Sequence, residues 1–197
     1  MGLMTIEHDK AGYLADFILY PLAIAGLLVL LAVLAPGDRE MEIAALALLG
    51  PVTWTLTEYV LHRFVLHGIQ PFRAWHAEHH RRPKALIGTS TLLSAVLIVV
   101  LFFLPALVLT DLLRACALTI GLLTGYLVYA ITHHALHHWS GVNALTRRLK
   151  RRHALHHYRD GPPAWFGVTS PIWDILFGTC RNTKNGSTQR SAMLRFS

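Results

Sequence analysis

The chain reads as an all-α integral membrane protein, with four transmembrane helices in two hairpins and a cytoplasmic helical cap holding a histidine-rich site. Three observations predict this. Of 197 residues, 53% are hydrophobic and only 15% charged, a balance that excludes an ordinary soluble globule. Four stretches approach the roughly 20 apolar residues that cross a bilayer. The histidines, 13 in all, gather at one end of those stretches.

The first apolar stretch runs over about 13–35, contains Pro21, and closes at PGDRE. Ahead of it stand Glu7, Asp9 and a lone Lys10, and the run is too long for a signal-peptide core, so it is expected to stay in the membrane. The second, about 42–66, contains Pro51 and turns polar over its last two turns, TEYVLHRFVLH. A proline in such a helix removes one backbone hydrogen bond and can kink it. Residues 67–85 are polar, aromatic and basic, with a short helix over WHAEHH ended by Pro83. The third span, about 86–109, and the fourth, about 112–131, are separated by a tight turn at Thr110 and Asp111.

Residues 67–85 and 132–180 form the predicted cap, so 1–180 make one membrane domain and 181–197 a polar, disordered tail. Within the cap, Ser170 and Pro171 open a short helix that Gly178 stops. Its Ile172, Trp173, Leu176 and Phe177 suit either the membrane surface or a cover over the histidines.

The net charge of +7 lies in loops beside apolar spans, which argues for topology and anionic headgroups and excludes nucleic acid as a partner. Arg39 and Arg114 are the lone basic residues of two loops, whereas 67–85 and the region after Thr132 are rich in Lys and Arg. The positive-inside rule therefore puts both termini, and every histidine group, on the cytoplasmic side. Two cysteines without paired spacing, Cys116 and Cys180, speak against a disulfide framework or a Cys-based zinc site.

Imidazole is the commonest protein ligand for transition metals. HxxHH occurs twice, at His76, His79, His80 and at His153, His156, His157, placing three rings within about 100° of one helix face. Two of the three suit one ion and the third a second. His62 and His67, about 140° apart on a regular helix, suit a pair shared between two metals. His133 with His137, and His134 with His138, are both i, i+4 pairs, and spacing does not choose between them. His8 reads as a solvated terminal residue.

Ten imidazoles exceed the capacity of one ion and provide two with about five each, leaving open positions for chemistry, unlike a closed structural zinc site. Nitrogen donors suit iron, zinc, copper or nickel rather than magnesium or calcium. Glu58, an intramembrane carboxylate one turn before His62, is expected to accept a hydrogen bond from that ring. Glu78 and Asp174 are weaker candidates for similar support, and Tyr126 and Tyr129 suit an aromatic belt or the site's edge. A metal transporter or non-catalytic metal-binding membrane protein is the reading from another class. It would place its ligands near the bilayer midplane, where these spans are apolar.

With HRFVLH (His62, His67), HAEHH (His76, His79, His80), HHALH (His133, His137) and HALHH (His153, His156, His157) assembled, the sequence resembles the fatty acid hydroxylase and sterol desaturase superfamily of integral-membrane di-metal oxygenases. WTLTEYVLHRFVLH and FGVTSPIWDILFGT look most like the fatty acid 2-hydroxylase catalytic domain, and the likeness covers about Trp54 to Thr179. Sterol or carotenoid hydroxylases and desaturases are the alternative within the superfamily.

The resemblance implies ten histidine ligands on two iron ions, zinc being possible in a purified sample. It implies lipid C–H hydroxylation with O₂ and two electrons, and it favours His133 and His137 over the neighbouring pair. The chain has no room for the cytochrome b5 domain of fused relatives, so a separate cytochrome b5-like or ferredoxin-type donor with its reductase is expected. Ala130 stands where some relatives carry an acidic residue. A lipid headgroup is expected against Arg147, Arg148 or Trp165.

Overall fold

The computed structural model describes residues 6–141, 143–158 and 162–180. The 181–197 tail lies outside them. Among the described residues the regular structure is helical, apart from one isolated antiparallel bridge between Glu7 and Ile87. In chain order they form α1 (Lys10–Leu14), α2 (Asp16–Leu34), a 3₁₀ turn (Gly37–Arg39), α3 (Glu40–Val60) and a π-helical segment (Leu61–Leu66). There follow α4 (Phe72–Arg81), α5 (Thr91–Ile98), a second π segment (Val99–Phe103), α6 (Leu104–Leu109), α7 (Leu112–His138), α8 (Ala144–Tyr158) and α9 (Ile172–Leu176).

Four helical runs are long and apolar enough to cross a membrane: Lys10–Leu34, Gly37–Leu66, Thr91–Leu109 and Leu112–His138. The protein is an integral membrane protein. Pro21 and Pro51 both lie inside continuous helices.

The third and fourth runs depart from their expected limits. Leu86 to Gly88 is occupied by pairing with the N-terminal segment, through His8 N to Leu86 O at 2.9 Å and Gly88 N to Ile6 O at 3.1 Å. Ser90 then caps α5 by accepting from Leu93 N. His8, read as solvated, also bonds Gly88 O through Nε2 at 2.9 Å. At the other end α7 continues through the polar THHALHH to His138, because polarity alone does not stop a helix and no Gly or Pro intervenes before Gly141.

The chain divides into two compact units, Met1–Trp54 with Ala85–Ala130, and Thr55–Lys84 with Ile131–Ser197. In the first, α7 is the central element: Ala115, Cys116, Ala117, Ile120, Leu122 and Leu123 are buried, while α2 leaves Ile18, Leu22, Val29 and Val33 exposed. Large apolar side chains turned outward are the pattern of helices solvated by lipid.

α3 and α7 approach so closely that a Cβ on Gly50 would stand 2.5 Å from the Gly121 backbone, a contact that only glycine permits. The core gathers Tyr20, Trp54, Ile98, Leu122, Leu123 and Tyr126. Three hydroxyl groups in and beside it are paired: Tyr20 with Ser94 at 2.7 Å, Thr91 with Asp16 at 2.5 Å, and Tyr126 with Asp16. Tyr126 and Tyr129 pack on Trp54, with ring centroids 5.0 and 5.9 Å away. Arg39, Glu42, Asp111 and Arg114 interlock the Gly37–Arg39 turn with the start of α7. Cys116 and Cys180 are both free thiols.

Candidate metal centre

All ten candidate ligands belong to the second unit, carried by the π segment and His67 that caps it, α4, the end of α7 and α8. α8 starts on a reciprocal cap in which Thr146 N donates to Asn143 Oδ1 at 2.8 Å and Asn143 N donates to Thr146 Oγ1 at 3.2 Å. The rings converge in two groups, His62, His67, His76, His80, His156 and His79, His133, His137, His153, His157. Within each group, one ligand atom per residue lies within 4.8 Å of all the others.

Each HxxHH segment gives its i, i+4 pair to one group and its middle residue to the other. His76 and His80 join the first group and His79 the second; His153 and His157 join the second and His156 the first. The two helices therefore cross-link both groups. His133 and His137 enter the second group, whereas His134 and His138 stack on each other at 4.5 Å outside both.

The π segment corrects the expectation that His62 and His67 are divided between two metals. A π turn closes i→i+5 hydrogen bonds, so residues five apart come to lie one turn apart. His67 N donates to His62 O at 3.2 Å, the two ring centroids are 5.3 Å apart, and both rings serve one group.

Within the groups, Nε2 atoms face one another: His62 to His76 at 3.0 Å, His76 to His80 at 2.9 Å, His67 to His156 at 3.2 Å, His133 to His137 at 3.1 Å and His137 to His153 at 2.8 Å. Two imidazole nitrogens bound to one ion at about 2.0–2.1 Å stand roughly 2.9–3.4 Å apart for square to tetrahedral angles. The donor set fits a cation.

Hydrogen bonds to the outer nitrogens fix the tautomer. His62 Nδ1 lies 2.6 Å from Phe166 O, and His156 Nδ1 lies 2.8 Å from Ala164 O. A carbonyl only accepts, so Nδ1 carries the proton and Nε2 of the neutral ring offers its lone pair inward. His79 is buried, and neither of its ring nitrogens has a hydrogen-bond partner among the described residues, a cost that a cation at Nε2 would offset.

Burial keeps the rings neutral. It brings His67 and His79 down to about 4, and burial together with neighbouring histidines brings His80 to about 3. His76, His153, His156 and His157 are held well below the usual range, first by burial and then by one another. At neutral pH they are unprotonated donors, as metal binding requires.

The supporting carboxylates act differently from expectation. Glu58 does not take the His62 ring; it accepts from Val168 N at 2.5 Å, Thr169 N at 3.1 Å and Thr169 Oγ1 at 2.5 Å. Asp174, fully buried, accepts from Phe166 N at 2.9 Å, Gly167 N at 2.8 Å and Thr179 Oγ1 at 2.6 Å. Together they pin the segment 166–169, whose Phe166 carbonyl orients His62.

Glu78 faces away and pairs with Arg81 and Arg82. Trp165 lies between the two ring-orienting carbonyls with a left-handed φ of 59°. Arg147 and Arg148 are exposed on α8. Sequence reasoning missed the carbonyls of Ala164 and Phe166, because a backbone acceptor leaves no residue-type signal.

Residues 47–179 match the fatty acid hydroxylase family. The chain belongs to this family. A dihydroceramide fatty acyl 2-hydroxylase of Arabidopsis thaliana is 36% identical over 159 residues, 75% of this chain and 65% of that protein. A ceramide very long chain fatty acid hydroxylase of Schizosaccharomyces pombe is 33% identical over 144 residues, 67% of this chain and 41% of that protein. The chain thus spans less than two thirds of these relatives' own length. The solved structure of full-length scs7p, in which only the hydroxylase domain is visible, superposes with a TM-score of 0.74 at 28% identity. That match covers 91% of this chain and 69% of the other.

Proposed function

We propose that the protein is a membrane-bound di-iron monooxygenase that hydroxylates an unactivated C–H bond of a lipid, either a fatty acyl chain or a sphingolipid-like substrate. The observation that carries this reading is the pair of five-histidine groups, set in a member of a family whose relatives are named for 2-hydroxylation of fatty acyl chains. His62, His67, His76, His80 and His156 would hold one ion, and His79, His133, His137, His153 and His157 the other. Nitrogen-only sets suit iron, and also zinc, which takes such sites by affinity in a purified sample.

When bound, the two ions supply O₂ activation, so that one oxygen atom enters the C–H bond and the other leaves as water at the expense of two electrons and two protons. The chain's residues prepare the site for this. The Ala164 and Phe166 carbonyls hold His156 and His62 as Nδ1–H tautomers, and Asp174 and Glu58 are positioning residues that fix the Phe166 carbonyl through the 166–169 backbone. Burial of the rings keeps them neutral and keeps water away from the reacting carbon.

In this reading residues 1–180 form one hydroxylase-like membrane domain, its spans arranged as two hairpins, with both termini and the histidine groups on the cytoplasmic side. An apolar chain enters from the bilayer, and its headgroup stays wet beside Arg147, Arg148 or Trp165. Electrons arrive from a cytochrome b5-like or ferredoxin-type donor. The exposed Arg147, Arg148 and Arg151 of α8 offer an acidic donor a complementary surface.

The test is anaerobic purification, metal analysis, and supply of reductant and O₂ with ceramides or fatty acyl lipids, followed by mass spectrometry of the products. Two metals per chain and a lipid gaining one oxygen atom are expected. One metal or none, or full metal content after both His79→Ala and His156→Ala, would overturn the reading.

A further inference from the structure

α9 sorts its side chains by chemistry. Asp174 is fully buried and Trp173 half-buried, whereas Ile172, Ile175, Leu176 and the following Phe177 are 56%, 64%, 67% and 52% exposed. Ile172, Ile175 and Leu176 stand at i, i+3 and i+4, one outward face of the helix. A five-residue helix with that much apolar surface needs something to cover it.

The neighbours of α9 say what covers it. Trp173 Nε1 donates to Thr55 Oγ1 at 3.0 Å, and Phe177 stacks on Tyr59 with centroids 5.4 Å apart and planes 23° from parallel. Thr55 and Tyr59 are one turn apart, and both lie inside the membrane-spanning run Gly37–Leu66. α9 therefore lies alongside the last turns of a span. On the same stretch of that span Leu56, Val60, Leu61 and Phe64 are also exposed, as a surface solvated by acyl chains requires. From Pro162 to Cys180 the one charged side chain is Asp174, and it points inward, so the segment carries no Lys or Arg of its own to reach for headgroup water.

We propose that α9 is seated in one leaflet of the bilayer, with Ile172, Ile175, Leu176 and Phe177 against lipid acyl chains. It lies on the membrane side of the second unit and does not cover the histidines from water. Its inner residue Asp174 holds the amide of Phe166, whose carbonyl accepts from His62 Nδ1, so a membrane-seated helix stands two hydrogen bonds from the first histidine group. The assignment goes beyond the proposed hydroxylase activity and needs neither metal nor turnover to be tested.

The chain is reconstituted in phosphatidylcholine nanodiscs, in a Cys116→Ser, Cys180→Ser background, with a nitroxide at Ile175→Cys or Leu176→Cys. Collision with O₂ exceeding collision with a water-soluble nickel chelate is expected, matching a label at Leu56→Cys on the span and opposite to one at Arg151→Cys on α8. A water-like response at both α9 positions overturns the proposal. So does exclusion of both reagents, which means that a second copy or another protein covers the face. Should the cysteine-free background not fold, the unsubstituted chain is irradiated in vesicles containing phosphatidylcholine with a diazirine on its acyl chain. Adducts on the Ile172–Phe177 peptide are expected, and adducts confined to the four spans overturn the proposal.

Discussion

Asp174 and Glu58 direct their charge at backbone amides, and the consequence reaches the metal groups through a carbonyl. Asp174→Asn keeps the shape but turns an amide NH₂ toward groups that themselves donate. A loss of roughly 2–3 kcal/mol is expected, read as a lower midpoint of thermal unfolding in detergent. A midpoint equal to that of the unsubstituted protein would remove Asp174 from this role. The choice between adjacent histidine pairs is also made at this scale. His137→Ala should lower metal content from two ions per chain to one, and His138→Ala should leave two, since His138 stacks on His134 outside both groups. The reverse outcome would move the second group one residue along α7.

At the scale of elements, the π segment Leu61–Leu66 decides how HxxxxH is used. An α-helical reading places its two histidines about 140° apart and divides them between two ions, whereas the π turn brings them to one side, one turn apart. Gly68 ends this turn, and a Cβ there would stand 2.2 Å from Phe64 O, a clash with backbone that no rotamer relieves. Gly68→Ala should displace His67 and release metal from the first group while the second stays loaded, as measured by metal analysis after gel filtration. Retention of both ions would show that the turn tolerates the shift. Helix α7 teaches a related lesson: its apolar part was legible as a span, but its continuation to His138 had no apolar signal to mark it, only the absence of a breaker.

For the whole molecule, the buried rings couple stability to pH. His67 and His79 are held at about 4 and His80 at about 3, against an ordinary value near 6.5. Between those limits the unfolded chain takes up protons that the folded, metal-free chain refuses, so stability falls as pH falls. Metal-stripped protein should therefore keep a constant unfolding midpoint above about pH 7 and lose stability progressively from about pH 6.5 down through 4. A flat profile across that window would mean that the rings are solvated. Bound cations should delay the loss, because they compete with protons for the same lone pairs.

The sequence by itself determined the helical class, the four spans and the identity of the histidine groups. Apolar run length and the grouping of metal-ligand residue types are local properties of the chain, and each can be read without knowing what it packs against. Only the tertiary structure decided how ten rings divide into two sets, and that Glu58 and Asp174 act through the 166–169 backbone; spacing left the i, i+4 pair on α7 open, and the resemblance had already favoured His133 and His137, the pair that joins the second group. Those outcomes depend on where a carbonyl points, on whether a helix closes i→i+4 or i→i+5, and on which of two crossing helices a ring faces. None of these is a property of residue type. The same holds for α9, whose apolar residues allowed two positions until Thr55 and Tyr59 placed it beside a membrane span.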